Sequence, residues 1–138
     1  MRHLVLAACV LGGVACVHTN AAVMDVTEKR APLCADGVKV FSDTSKIRQT
    51  YQEVALLNSK GESGSTSEAG MIKNQRKKAA ELGANALVLT GFQEPKAGTK
   101  IVGALLGTGA ERNGSALAIY VPGDSARVRQ ACNGTNNR

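Results

Sequence analysis

The chain has 138 residues, of which 43% are hydrophobic and 3% aromatic, and it carries a formal net charge of +6. This length supports one domain, whose core has to be mostly aliphatic because the chain contains no Trp and few other aromatic rings. The positive charge does not indicate a nucleic-acid partner, since the basic residues are spread along the chain and the aromatics do not lie among them as a stacking platform.

Residues 1–15 have the pattern of a bacterial export signal. Arg2 follows the initiating Met, residues 4–14 are almost wholly apolar, and Ala15 precedes a cysteine. A charged start, a short apolar segment and small residues before a cleavage site are typical of a secretory signal peptide. The apolar segment is too short to span a membrane as a permanent helix. We therefore predict that residues 1–15 are removed during export.

Cys16 is the predicted site of lipid attachment. Residues 13–16 resemble a lipobox, in which the Cys thiol receives a diacylglycerol before cleavage, although positions 13 and 14 depart from the usual lipobox residues. Ordinary cleavage after Ala15 or after Ala21 is the alternative, and lipidation at Cys9 is a minor one.

The predicted lipid also sets the expected location. Acyl chains on Cys16 would anchor the protein firmly, since each buried methylene contributes ~0.8 kcal/mol. Val17 stands in the second mature position, where an Asp would retain a lipoprotein in the inner membrane. This favours the outer membrane, with the domain facing the periplasm; a periplasmic or secreted protein is the alternative. Residues 16–33 are mostly polar or small without a clear period and are predicted to be the lipidated N-terminus and a tether.

Two cysteines remain after the predicted signal and lipid site, and we predict that Cys34 and Cys132 form a disulfide. An even pair in an oxidising compartment is typical of a structural bridge. Closing a loop of about a hundred residues stabilises a fold by up to ~4.7 kcal/mol in the chain-entropy model. No Cys-x-x-Cys is present, and both histidines, His3 and His18, precede the predicted domain. We therefore predict no metal site and no cofactor.

Residues 34–132 are predicted to form one α+β domain. Four short runs are β-branched, alternating or continuously apolar, as β-strands are. They cover residues 38–41, 51–57, 85–92 and 115–121. About four strands would make a small mixed sheet, and if the second and third run parallel, their connection is a β-α-β crossover. Residues 133–138 are predicted to be a disordered tail.

The connection between the second and third predicted strands contains the principal helix. A Ser-x-x-Glu capping box starts at Ser65, apolar residues then recur at helical spacing, and Gly83 stands where a helix ends in the left-handed conformation. This pattern predicts an amphipathic helix over residues 67–82. A short C-terminal helix is predicted over residues 124–130, and it brings Cys132 to its partner.

Residues 97–114 are rich in Gly and in apolar side chains. No Gly-Lys-Ser/Thr follows, as a phosphate-binding loop requires, and Arg112 stands where a dinucleotide fingerprint has its third Gly. The plain interpretation is a strand connection packed against the sheet. The alternative hypothesis is an apolar surface for another envelope component, with Ile101, Leu105 and Leu106 as its candidate contacts.

The predicted domain offers no catalytic constellation. It contains no His, its two cysteines are assigned to the bridge, and its glutamates are scattered along the chain. Its Ser and Thr residues have no evident activating base. We therefore expect no catalytic residue and no enzymatic activity.

Four segments carry a resemblance to a known family. They are V-K-V-F at 38–41, Y-Q-E-V-A at 51–55, R-K-K-A-A-E-L-G-A-N-A-L-V-L at 76–89 and G-S-A-L-A-I at 114–119. Over residues 38–121 the pattern resembles the globular domain of the outer-membrane lipoproteins that sense stress for the Rcs phosphorelay, and a related group of short bacterial lipoproteins. The resemblance implies a small sheet with a helix, envelope placement and a sensing or partner-binding role. The chain departs from the sensor family in having no cysteine between Cys34 and Cys132.

These observations predict a noncatalytic envelope lipoprotein whose domain senses or binds another envelope component. A secreted or tethered binder of a small ligand or a metal is the alternative. A concave pocket with convergent polar groups would favour the alternative, and an exposed apolar patch around Leu105 would favour the first hypothesis.

Overall fold

The computed structural model describes residues 17–24, 27–106 and 109–135. In that part of the chain, five strands form one mixed sheet with the spatial order β1-β3-β5-β4-β2. The strands are β1 (His18–Val23), β2 (Lys39–Phe41), β3 (Gln52–Glu62), β4 (Ala86–Gln93) and β5 (Glu111–Tyr120). The helices are α1 (Glu68–Glu81), α2 (Ala97–Leu106) and α3 (Ser125–Thr135), with short 3-10 turns at Ala35–Gly37, Thr44–Lys46 and Pro122–Asp124. The predicted α+β class is confirmed.

The principal helix connects two parallel strands that lie one strand apart. β3 and β4 each pair antiparallel with β5, which lies between them, so β3-α1-β4 is a split β-α-β unit. β2 pairs parallel with β4 at one edge of the sheet, and β1 pairs antiparallel with β3 at the other. The predicted crossover is therefore present, with the last strand of the chain inserted between its two strands.

The sheet has one strand more than the sequence predicted, and this strand is β1. It lies within residues 16–33, for which a tether was predicted, and it pairs with β3 along its whole length. Later in the same segment, the backbone N–H of Leu33 donates to the carbonyl oxygen of Ala80 at 3.0 Å. No β1 side chain is fully buried, so the strand lacks the regular apolar alternation that would reveal it. The described part of the expected tether is thus built into the domain.

Helix α1 covers one face of the sheet over an aliphatic core. Ala79 and Ala80 of the helix pack in one buried cluster with Leu57, Leu87 and Ala118 from three neighbouring strands. Small side chains on the helix allow it to approach the sheet closely, while each fully buried Leu contributes ~1.5–3 kcal/mol to stability. No aromatic ring is fully buried among the described residues, as the composition predicted.

The ends of α1 agree with the predicted range of 67–82, but the N-cap differs. The Oγ of Ser67, rather than that of Ser65, accepts the backbone N–H of Gly70 at 3.1 Å. At the other end Gly83 has a φ of 73°, which is the left-handed conformation that the sequence predicted. A Cβ at this position would also overlap the side chain of Arg30. Glycine at position 83 therefore allows both the left-handed end of α1 and the close approach of the segment before β2.

A disulfide between Cys34 and Cys132 joins the segment before β2 to α3, as predicted, with a Cα–Cα distance of 5.6 Å. Cys34 caps the 3-10 turn Ala35–Gly37 before β2, and Cys132 lies on α3. Helix α3 is longer than the expected range of 124–130 and extends through residue 135, into the expected tail. Residues 136–138 lie outside the described part.

Candidate functional site

A polar groove lies on the second face of the sheet, opposite α1. Part of that face is covered by the segment after β2, whose Ile47 and Tyr51 pack with Val88 and Ile119. Beyond this cluster lies a groove of about 380 Å³ that crosses β3, β5 and β4. Its lining residues are Asn58, Ser59, Lys60, Thr90, Gly91, Gln93, Asn113, Gly114 and Ser115.

The strand register arranges much of this lining in two rows across the sheet. The first row is Asn58, Ser115 and Gly91, and the second is Lys60, Asn113 and Gln93. The hydroxyl of Ser115 donates to Oδ1 of Asn58 at 2.9 Å. Oδ1 of Asn113 is buried and has no hydrogen-bond partner within the described residues. The rows therefore combine a preformed polar pair with an acceptor that has no partner in the described part of the chain.

A β-bulge in β4 shapes the floor of the groove. The pairing of β4 with β5 shifts register between Leu89 and Gly91, and Gly91 has a φ of 153°, which other residues rarely adopt. No heavy atom lies within 4 Å of the position that a Cβ would take. Backbone conformation rather than crowding therefore requires glycine. Since a bulge changes which way later side chains point, it sets Gln93 opposite Asn113.

Ion pairs border the groove. Nζ of Lys60 lies 3.7 Å from the Glu111 carboxylate, and Nζ of Lys100 lies 3.3 Å from that of Glu94. Arg112 also pairs with Glu94. The hydrogen bond from the Arg112 guanidinium holds the pKa of the Glu94 carboxyl below its ordinary value, and Lys100 acts in the same direction. Charges of opposite sign thus meet around the groove, and Glu94 has two cationic partners.

Apart from Lys60, which pairs with Glu111, the groove is lined by uncharged residues, and this fits the binding of an uncharged polar group. Its amides and hydroxyls include those of Asn58, Gln93, Asn113, Thr90 and Ser115. Such groups both donate and accept hydrogen bonds, as recognition of a saccharide or a peptide backbone requires. None of them is a general base that would activate a nucleophile. Among the described residues, no three His, Cys, Asp or Glu side chains are grouped to hold a metal ion.

Of the cysteines predicted as site residues, Cys34 and Cys132 do not line this groove, and Cys16 lies outside the described residues. The Cys34–Cys132 bridge holds the 3-10 turn before β2 against α3. Cys16 and the predicted signal, residues 1–15, lie outside the described residues, so lipidation at Cys16 stays a prediction.

Helix α2 occupies residues for which a packed strand connection was the plain interpretation, and here the structure corrects the sequence analysis. The side chains of Ile101 and Leu105 on this helix are 70% and 85% exposed. Helix α2 has no extensive contact with any other described element, so it stands off the sheet instead of packing on it. Leu106 ends the helix, and its side chain lies outside the described part.

The groove was not predicted from the sequence. The last strand was predicted at 115–121 and the second strand was predicted to end at residue 57, whereas β5 starts at Glu111 and β3 continues to Glu62. The groove lies largely on these extensions. Polar residues two apart, such as Asn58 with Lys60 and Asn113 with Ser115, are the signal that would have indicated strands with one uncovered polar face.

Comparisons with known proteins yield one structural similarity. No family model and no curated protein matches the chain. The fold is similar to the crystal structure of a Francisella virulence factor, FvfA, with a TM-score of 0.52 and 11% sequence identity over 74% of this chain and 96% of that chain. At this identity the similarity shows a shared fold alone. It does not test the resemblance to the Rcs stress sensors, which stays a prediction.

No helix within the described ranges combines the length and the apolar character needed to cross a bilayer.

Proposed function

We propose that this chain is an exported bacterial lipoprotein whose domain senses or binds an envelope component without catalysing a reaction. The Cys34–Cys132 disulfide is the main observation in support of export, since structural disulfides persist in oxidising compartments outside the cytoplasm. The signal-like residues 1–15 and the lipobox-like segment ending at Cys16 support the same compartment. Val17 in the second mature position supports the outer membrane.

Metabolic labelling with an alkyne fatty acid tests the anchor. We expect label on the wild-type protein and none on Cys16→Ala, because that thiol is the proposed point of attachment. Cys9→Ala is the matched control and should retain the label. Equal labelling of the wild type and Cys16→Ala would contradict lipidation at Cys16.

The groove supports a binding role for the domain. Its uncharged donors and acceptors stand on paired strands, which hold them in place before any ligand arrives. Its volume of about 380 Å³ also favours the second candidate, a small-ligand binder, since pockets for small molecules measure ~300–1,000 Å³.

Site-specific photocrosslinking in living cells tests this role. A photoreactive residue at Thr90, which is exposed at the groove, should capture a defined envelope component. The same residue at Ala126, exposed on α3, should not. Identical capture from both positions, or none from Thr90, would contradict binding in the groove. Capture of a small soluble molecule would favour the second candidate.

A further inference from the structure

One end of the molecule carries both the start of β1 and helix α2. The register places His18, at the start of β1, in the same row across the sheet as Gln93, near the end of β4. Helix α2 leaves the sheet after Gln93 and the chain returns to it at Glu111, so connectivity places α2 at this end. Cys16 stands two residues before His18, and two residues of extended chain span at most ~7 Å.

Helix α2 exposes an apolar face at this end. Ile101 and Leu105 are four residues apart, which places them on the same face of the helix. They are 70% and 85% exposed, and no other described element covers them. Thr99 is exposed on the opposite face. Large apolar side chains exposed together on one helix face are a feature of segments that lie in a membrane interface.

We propose that α2 lies on the lipid bilayer that holds the Cys16 anchor, with Ile101 and Leu105 inserted at the boundary between head groups and acyl chains. This inference rests on the proposed lipidation of Cys16. A tether through residue 33 would have let the domain move far from the bilayer, but β1 leaves only Val17 between the lipidated residue and the sheet. The short connection holds the α2 end against the membrane surface, and α2 adds a second contact that orients the domain.

The contact is apolar and not ionic. Charged groups of both signs lie near α2: Glu94 pairs with Lys100 and Arg112, Glu111 pairs with Lys60, and Lys96 is exposed before the helix. The carboxylates offset part of the positive charge, and the exposed apolar side chains supply the main attraction to the bilayer. Ionic strength screens charge–charge attraction but leaves apolar insertion in place. The contact should form on zwitterionic lipid and persist in high salt.

A tryptophan reporter tests this contact, because the chain contains no Trp. The mature lipidated Leu105→Trp protein is reconstituted into phosphatidylcholine vesicles with and without brominated acyl chains. We expect a blue-shifted emission that loses most of its intensity to the brominated chains, at low and high salt alike. Gln130→Trp, exposed on α3, should stay unquenched, and Thr99→Trp should be quenched less than Leu105→Trp.

A second variant tests whether the native apolar face, and not the preference of Trp itself for membrane interfaces, causes the quenching. Adding Ile101→Ser to Leu105→Trp should reduce the quenching. Absence of quenching in Leu105→Trp, equal quenching in Gln130→Trp, or no effect of Ile101→Ser would overturn the proposal. An emission change that requires an added envelope protein would assign this face to a protein partner and would also overturn it.

Mass spectrometry of the N-terminal peptide tests the lipid separately. A lipidated protein whose Leu105→Trp emission is not quenched refutes the α2 contact and leaves the proposed lipoprotein intact. An unlipidated protein whose Leu105→Trp emission is quenched on added vesicles refutes the anchor and supports the α2 contact.

Discussion

Asn85 is a fully buried polar side chain at the point where α1 has ended and β4 begins. Its amide donates to the carbonyl oxygen of Val121 and accepts the backbone N–H of the same residue, both at 2.8 Å. Arg127 donates to the backbone carbonyl of Asn85 at 3.1 Å. This side chain thus joins the start of β4 to the residue that follows β5.

Asn85→Ala should lower the free energy of unfolding by ~1–3 kcal/mol, because the backbone N–H of Val121 would be buried without its acceptor. The carbonyl oxygen of Val121 would lose one of its two hydrogen bonds and keep the one from the backbone N–H of Asp124. Urea denaturation measures the change. Asn58→Ala, at an exposed position, is the matched control and should stay within about 0.5 kcal/mol of the wild type. Similar losses in both variants would show that the buried hydrogen bonds are not the cause.

Glu94 makes a pH-dependent contribution to stability. Its hydrogen bond from Arg112 lowers the pKa in the folded protein. A carboxyl with a lower pKa in the folded than in the unfolded chain stabilises the fold above its unfolded pKa, and this contribution is lost as the pH falls through the folded pKa. Glu94→Gln should therefore have a slightly lower Tm than the wild type at neutral pH. The difference should shrink as the pH falls from about 5 to about 3. A difference that grows in acid would contradict the assignment.

At the scale of elements, the junction between α1 and the segment before β2 depends on Gly83. Gly83→Ala should destabilise the protein by ~1 kcal/mol or more, because Ala would be strained at a φ of 73° and its Cβ would overlap Arg30. Thermal denaturation measures the effect. Gly64→Ala is the control, since no atom lies within 4 Å of a Cβ there. Equal effects of the two substitutions would contradict this account.

Two elements, β1 and α2, were not predicted from the sequence, for different reasons. Helix α2 carries apolar residues four apart, but its glycines favoured a connecting segment. Strand β1 has a neighbour on one side only. Burial imposes an apolar period on a segment, so an edge strand carries little of it. Helix α1 and β4, which are packed on the sheet or within it, were predicted to within a residue or two for the same reason.

At the scale of the whole molecule, the disulfide joins Cys34, before β2, to Cys132 on α3 across a sequence separation of 98 residues. Replacing both cysteines, Cys34→Ala with Cys132→Ala, should lower the free energy of unfolding by ~2–5 kcal/mol, because the unfolded chain regains conformational entropy. Urea denaturation with and without a reducing agent measures this. The reductant should destabilise the wild type and leave the double variant unchanged; an equal response of both would contradict the role of the bridge.

The proposed anchor and the proposed α2 contact lie at one end of the domain, and the start of α3 lies beyond the opposite end of β5. Residues 58–60 of β3 and 113–115 of β5, which line the groove, belong to the end that carries α2. An envelope component bound there would therefore contact the domain close to the membrane surface.

The sequence alone determined the α+β class, the principal helix and the pairing of Cys34 with Cys132. Each of these depends on local pattern or on counting: helical spacing before a glycine, short β-branched runs, and two cysteines that remain in the predicted domain. Tertiary structure decided the pairing of β1, the stand-off of α2 and the groove. These features depend on which surfaces stay uncovered once distant segments align, and the sequence of any single segment does not record that alignment.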